Sequence, residues 1–173
     1  SFARQRKLSS AHLLFISEAD RAACERAGWM LRENVQFHWT QRELEPWADF
    51  EAFRASLQRD KRKKIAQERR RVAETGVTFE VHEGGAIDQP LWDFFYRCYT
   101  LTYQAHHSTP YLRREFFAAM ARSMPAHWLL FVARRNGERI AASLIALDPG
   151  QRVAYGRYWG ATEHVPCLHF EAC

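Results

Sequence analysis

The stretch "GRYWGATEHVPCLHFEAC", Gly156 to Cys173, gathers residues suited to chemistry: Tyr158, Glu163, His164, Cys167, His169, Glu171 and Cys173. Histidine, cysteine and glutamate can ligate a metal, and Glu163 and His164 can accept protons. Helical spacing after Pro166 argues against a metal. His169 shares a face with Cys173, and Cys167 with Glu171, so Cys167 and His169 point apart. There is no C-x-x-C or H-E-x-x-H spacing, and no metal is expected.

The shape of the stretch says more than its ligand types. A strand ending at Gly160 leads through a short polar loop into a helix expected to start near Pro166. A helix N-terminus offers unpaired N–H groups and a positive dipole end to an anion or to developing negative charge. Gly156 and Gly160 would let another group approach the backbone closely. Tyr155, Arg157, Tyr158 and Trp159 put aromatic and hydrogen-bonding groups on both strand faces, of which only one should be functional, because strand aromatics commonly belong to a core.

Two further stretches carry candidate chemistry. In "YQAHHSTPY", Tyr103 to Tyr111, one of His106 and His107 could act near neutrality as base or hydrogen-bond donor, while adjacent loop histidines are poor joint ligands for one metal. In "RDKRKKIAQERRR", Arg59 to Arg71, eight basic and two acidic residues give a net of +6. The whole chain carries +5, so its basicity is this one feature. Lys61, Arg62, Lys64, Arg69 and Arg71 could form a ridge for polyanionic phosphates, bound through charge and released by salt. A solvated helix face is the alternative reading. No zinc-finger, helix-turn-helix or RNA-stacking motif specifies nucleic acid.

These residues must be positioned by alternating helices and strands. "HLLFI" (His12 to Ile16) and "NVQFHW" (Asn34 to Trp39) read as strands around a helix N-capped by Ser17 and stopped at Gly28. Phe50, Phe53, Leu57, Ile65 and Val72 predict one long, bent amphipathic helix over Asp49 to Thr75. "VTFEVH" is a strand, Pro90 starts a buried helix running to Ala105, and Leu112 to Met120 marks another. "WLLFVARR", "RIAASLIALD" and "VAYGRYWGAT" form an antiparallel meander, joined first by Asn136-Gly137 and then by Asp148-Pro149-Gly150. The fold class is α+β, with a largely antiparallel sheet flanked by helices.

With 173 residues and 47% hydrophobic content, the chain has enough material for a single core. No run approaches the ~18 apolar residues of a membrane span, and no signal peptide opens the sequence, so a soluble, cytoplasmic protein with reduced cysteines is expected.

"FEAFRASLQRDKRKKIAQERRRVAETGV", "WDFFYRCYTLTYQAHHSTPYLRREFF" and "GRYWGATEHVPCLHFEAC" together resemble the bacterial FemAB-like family of predicted N-acyltransferases, labelled peptidoglycan biosynthesis or recognition proteins. The likeness spans nearly the whole chain. It implies a GNAT-like (Gcn5-related N-acetyltransferase) fold, with residues 1–42 ending a first half and 43–173 forming most of a second that breaks off in its last helix. It also places an acyl donor where two central strands splay apart, at "GRYWGATEHVP". "GATEHVPC" departs from the R/Q-x-x-G-x-G/A loop usual for coenzyme A, so acyl-CoA competes with aminoacyl-tRNA as donor. The basic helix would sit beside tRNA or a lipid-linked precursor.

The resemblance implies transfer of an acyl or aminoacyl group to an amine. Glu163 or His164 would be the base, Tyr158 the proton donor to the leaving group, and N–H groups near Gly160 the carbonyl polarisers. Arg157, Trp159, His106, His107 and Tyr111 would line the substrate cleft, with His169 and Glu171 in support. A non-catalytic module that binds cell-wall precursors or other polyanions is the alternative.

Overall fold

The computed structural model describes residues 2–35 and 37–172. The chain divides into two compact units, Ser1–Trp47 and Ala48–Cys173.

In the first unit, α1 spans Phe2–Gln5 and α2 spans Glu18–Arg26. The Ser17 hydroxyl accepts from the Asp20 amide while the Asp20 carboxylate accepts from the Ser17 amide, a capping box that fixes the start of α2. Gly28, at φ +72°, closes it with the left-handed residue that helix ends favour. The two strands expected at His12–Ile16 and Asn34–Trp39 are not formed among the described residues, which run there as irregular chain. A strand needs a ladder partner as well as an alternating pattern. Here Leu14, Phe15, Val35 and Phe37 stay exposed, Phe37 to 95%.

The second unit is α+β and holds the core. Its sheet has four strands in the order β1-β2-β3-β4, every neighbouring pair antiparallel: β1 Thr78–Glu83, β2 Trp128–Arg135, β3 Glu138–Asp148 and β4 Val153–Ala161. The β2–β3 turn forms as the Asn-Gly pair predicts, with Asn136 at φ +53° and Gly137 at φ +85°, the two positive angles of the turn that matches strand twist.

Helix α5, Gln89–Ala105, crosses one sheet face. Asp88 caps it, its carboxylate accepting from the Leu91 amide at 2.9 Å, and Pro90 occupies the first turn, where a missing N–H costs nothing. Leu91, Phe95, Cys98 and Tyr99 recur at helical spacing and bury against Leu130, Val132, Ala142 and Leu144. Helix α6, Arg114–Ser123, adds Phe117, whose ring meets Phe95 edge-on at 5.1 Å. Phe95, Leu130 and Leu144 are nearly or wholly excluded from solvent, so truncating any one to alanine should cost about 2–5 kcal/mol.

The opposite face is covered at one end by α4, Arg59–Glu74, and α7, Leu168–Ala172, around Val72, Ala133, Ala141, Val165 and Leu168. The single bent helix expected over Asp49–Thr75 is in fact two, α3 Phe50–Ala55 and α4. The break spans residues 56–58, where the Ser56 hydroxyl bonds the Phe53 carbonyl and Arg62 reaches back to the Ala55 and Leu57 carbonyls. The last helix also starts later than expected. Pro166 and Cys167 form a turn closed by the Leu168 amide on the Val165 carbonyl, and Cys167 takes φ +67°, a conformation no helix continues through.

Candidate functional site

β4 and the C-terminal half of α5 approach more closely than side chains permit. A Cβ on Gly160 would lie 2.1 Å from the Cys98 carbonyl oxygen and 2.8 Å from Thr102 Oγ1. The Thr102 hydroxyl donates to the Trp159 carbonyl at 2.9 Å, locking the two elements at that point. The close approach expected at Gly160 is therefore made by the protein's own helix, and the buried glycine is not open to a substrate carbonyl.

Beyond this contact the elements bound a cleft of about 360 Å³. Tyr99, Thr102, Tyr103 and His106 line it from α5 and its cap, Ser108 and Tyr111 from the loop that follows, and Tyr158 and Trp159 from β4. Tyr99 organises these walls. Only 1% exposed, its ring meets Tyr103 at 4.9 Å, Tyr158 at 5.2 Å and Phe117 at 5.4 Å, and its hydroxyl accepts from the Leu112 amide at 3.1 Å. That last bond ties the post-helix loop to the helix body. Tyr111, 82% exposed, is held edge-on against Tyr103 at 5.6 Å and forms the cleft's outer rim.

The histidine pair is a helix cap, not an irregular loop. His106 is the C-cap of α5, and His107 follows in the left-handed region at φ +52°. The His107 amide donates to the Gln104 carbonyl and the Ser108 amide to the Tyr103 carbonyl, the double bond pattern of a Schellman ending. His107 there takes the place usually given to glycine. The reversal separates the two imidazoles, bringing His106 to the cleft and leaving His107 exposed outside it.

Strand alternation sorts the residues of β4. Tyr158 faces α5, whereas the Trp159 ring lies 5.3 Å from His169 on the opposite side. Trp159 thus borders the cleft through its backbone. The Arg157 side chain and Cys173 lie outside the described residues. Glu163 forms an ion pair with Arg135 at the β2–β3 hairpin end, and His164 is exposed, so neither expected base lines the cleft. Glu171 accepts from Arg69 Nε at 3.0 Å and fastens α7 to α4. Helix α7 begins at Leu168, after the Pro166-Cys167 turn, two residues beyond the start expected at Pro166.

The basic residues have separate fates. Arg69 lies over the Phe50 ring at 4.7 Å as well as bonding Glu171, Arg62 bridges the α3–α4 break, and Lys64 pairs with Glu68 at 3.8 Å. Lys61 and Arg71 are exposed and carry no ion pair among the described residues.

Among the described residues, no three His, Cys, Asp or Glu side chains converge on a point that could hold a metal. Burial pushes the Cys98 thiol up to about 12, which keeps it protonated and unreactive. The cleft lining includes no carboxylate, ammonium or guanidinium group. It offers aromatic faces, hydroxyls and one imidazole, a lining that suits a neutral, hydrogen-bonding ligand and a single proton transfer. Tyr99, Thr102, Tyr103 and Ser108 were missed as site residues by reasoning from sequence. The three-to-four-residue recurrence of Tyr96, Tyr99 and Tyr103 was the available signal, but it reads equally as core.

An α+β unit with an aromatic cleft between helix and edge strand is the class of protein that fold and site define. The FemAB-like family model, described as peptidoglycan biosynthesis/recognition, matches residues 1–173, and the chain belongs to that family. Membership places it in peptidoglycan biosynthesis or recognition. No curated protein matches it. Among the described residues, no helix is long and apolar enough to cross a membrane.

Proposed function

We propose that the chain transfers an acyl or aminoacyl group to an amine of a peptidoglycan precursor, in a GNAT-like arrangement, and that the cleft between α5 and β4 is where the acceptor binds. The observation that carries this reading is the convergence of His106, Tyr111 and Tyr158 on one cleft from three separate segments. The amine nitrogen attacks the donor carbonyl carbon, forming the new C–N bond. His106 accepts the amine proton, and the C–O bond of an aminoacyl-tRNA or the C–S bond of an acyl-CoA breaks, with Tyr158 donating a proton to the departing atom. Tyr111 and Tyr103 hold the acceptor by their aromatic faces, and closeness of the bound partners supplies much of the rate.

The second reading is a non-catalytic module that recognises precursors, for which the aromatic and hydroxyl lining of the cleft would serve as a binding surface alone. Incubating the chain with acetyl-CoA, longer acyl-CoAs or charged tRNA, together with a lipid-linked muropeptide, separates the two. An N-acylated muropeptide seen by mass spectrometry supports transfer. Thermal stabilisation by the muropeptide, with no product from any donor, supports recognition.

A further inference from the structure

The cations of α4 fall into two sets once α3 is considered. Arg59, Arg62, Lys63 and Ala66 stand at i, i+3, i+4 and i+7, a single stripe of the helix. That stripe and Glu51, Arg54 and Ala55 of α3 wall an open groove of about 780 Å³. Lys61, Lys64 and Arg71, expected to form the polyanion ridge, lie outside this groove.

The groove is electrostatically lopsided. Four cations face a single carboxylate, and Glu51 is already engaged by Arg54 and approached by Arg69 at 3.9 Å. Arg62 is held in place by donating to the Ala55 and Leu57 carbonyls. Arg59 and Lys63 have no ion-pair partner among the described residues. Three guanidiniums and one ammonium match tetrahedral oxyanions, which accept from guanidinium forks in pairs. No aromatic side chain lines the groove, so it offers no aromatic platform for a nucleobase.

We propose that the α3–α4 groove binds a short chain of linked phosphates, with Arg59 and Lys63 as its free cations and Arg62 as the fixed one. This site is separate from the α5–β4 cleft. It survives if no acyl transfer is found, and its own failure leaves the transfer reading intact.

Calorimetric titration of the full chain with inorganic tripolyphosphate at low salt tests it. Saturable binding is expected that weakens by about tenfold or more in Arg59→Gln/Lys63→Gln, as the loss of charged hydrogen bonds implies. Lys61→Gln/Arg71→Gln removes the same charge from outside the groove and should change affinity by no more than about twofold. Equal losses in the two double variants, or no saturable binding by the parent chain, would overturn the proposal. Vesicles bearing phosphatidic acid distinguish a free ligand from a lipid surface, and binding to vesicles alone would also overturn it. All four positions are on a helix surface, and unchanged circular dichroism confirms that each variant is folded.

Discussion

Gly160 and Cys98 meet backbone to backbone, with room for a hydrogen at Gly160 but not for a methyl group, which would stand 2.1 Å from the Cys98 carbonyl oxygen. Neither atom belongs to a flexible side chain that could swing away. Gly160→Ala must push β4 off α5, and we expect a loss of at least about 2 kcal/mol of stability by urea unfolding. Gly156→Ala, where a Cβ would find nothing within 4 Å, should stay within about 0.5 kcal/mol of the parent.

Tyr99 holds the cleft loop through one hydrogen bond to the Leu112 amide. Tyr99→Phe keeps the ring contacts and deletes only that bond, so a stability loss of about 1 kcal/mol is expected. Hydrogen exchange at the Leu112 amide should accelerate by more than the global loss explains. If exchange tracks global unfolding alone, the hydroxyl does not position the loop.

Cys98 should resist thiol reagents in the folded chain, and its thiol should contribute to alkaline unfolding. Burial raises its folded pKa to about 12, above that of an exposed thiol. The neutral form favours folding fully below the unfolded pKa, and this contribution is lost progressively as pH rises from there toward 12. Cys98→Ala should flatten the fall of stability on the alkaline side. An unchanged alkaline profile would contradict the assignment.

Glu80 gives the opposite sign. The Arg134 guanidinium, donating at 2.8 Å, holds its carboxyl below the usual carboxylate range. A depressed carboxyl stabilises the fold above its unfolded pKa and loses that contribution as pH falls through the folded value. Arg134→Gln should narrow the difference in stability between neutral and acid pH, measured by thermal unfolding from about pH 7 to 3. Because the pair is about one-third exposed, the effect should be small and should shrink with added salt.

The meander, the α5 start and the α2 cap were legible in sequence because each rests on a local rule: Asn136-Gly137 for a twisted hairpin, Pro90 for a helix start, Ser17 with Asp20 for the N-cap. The strands expected at residues 12–16 and 34–39 were not, because alternation predicts a surface without supplying its partner. Residues 56–58 and Cys167 escaped notice because their turns are set by hydrogen bonds and by a left-handed φ that residue type did not announce. Of the residues that line the cleft, His106 and Tyr111 stood out in the stretch Tyr103 to Tyr111, and Tyr158 in the aromatic strand before Gly160. The surroundings of Glu163 were not legible: its neighbour in space is Arg135, twenty-eight positions earlier, a pairing visible only once the hairpin is folded.

The most direct test of the cleft as the transfer site is the initial rate of muropeptide N-acylation by His106→Ala, measured beside Glu163→Gln. With His106 as the proton acceptor, His106→Ala should lose about 10²–10⁴ in rate, the usual range for a removed general base, while Glu163→Gln stays within a few-fold of the parent. A parental rate in His106→Ala, or the large loss appearing only in Glu163→Gln, would contradict the account.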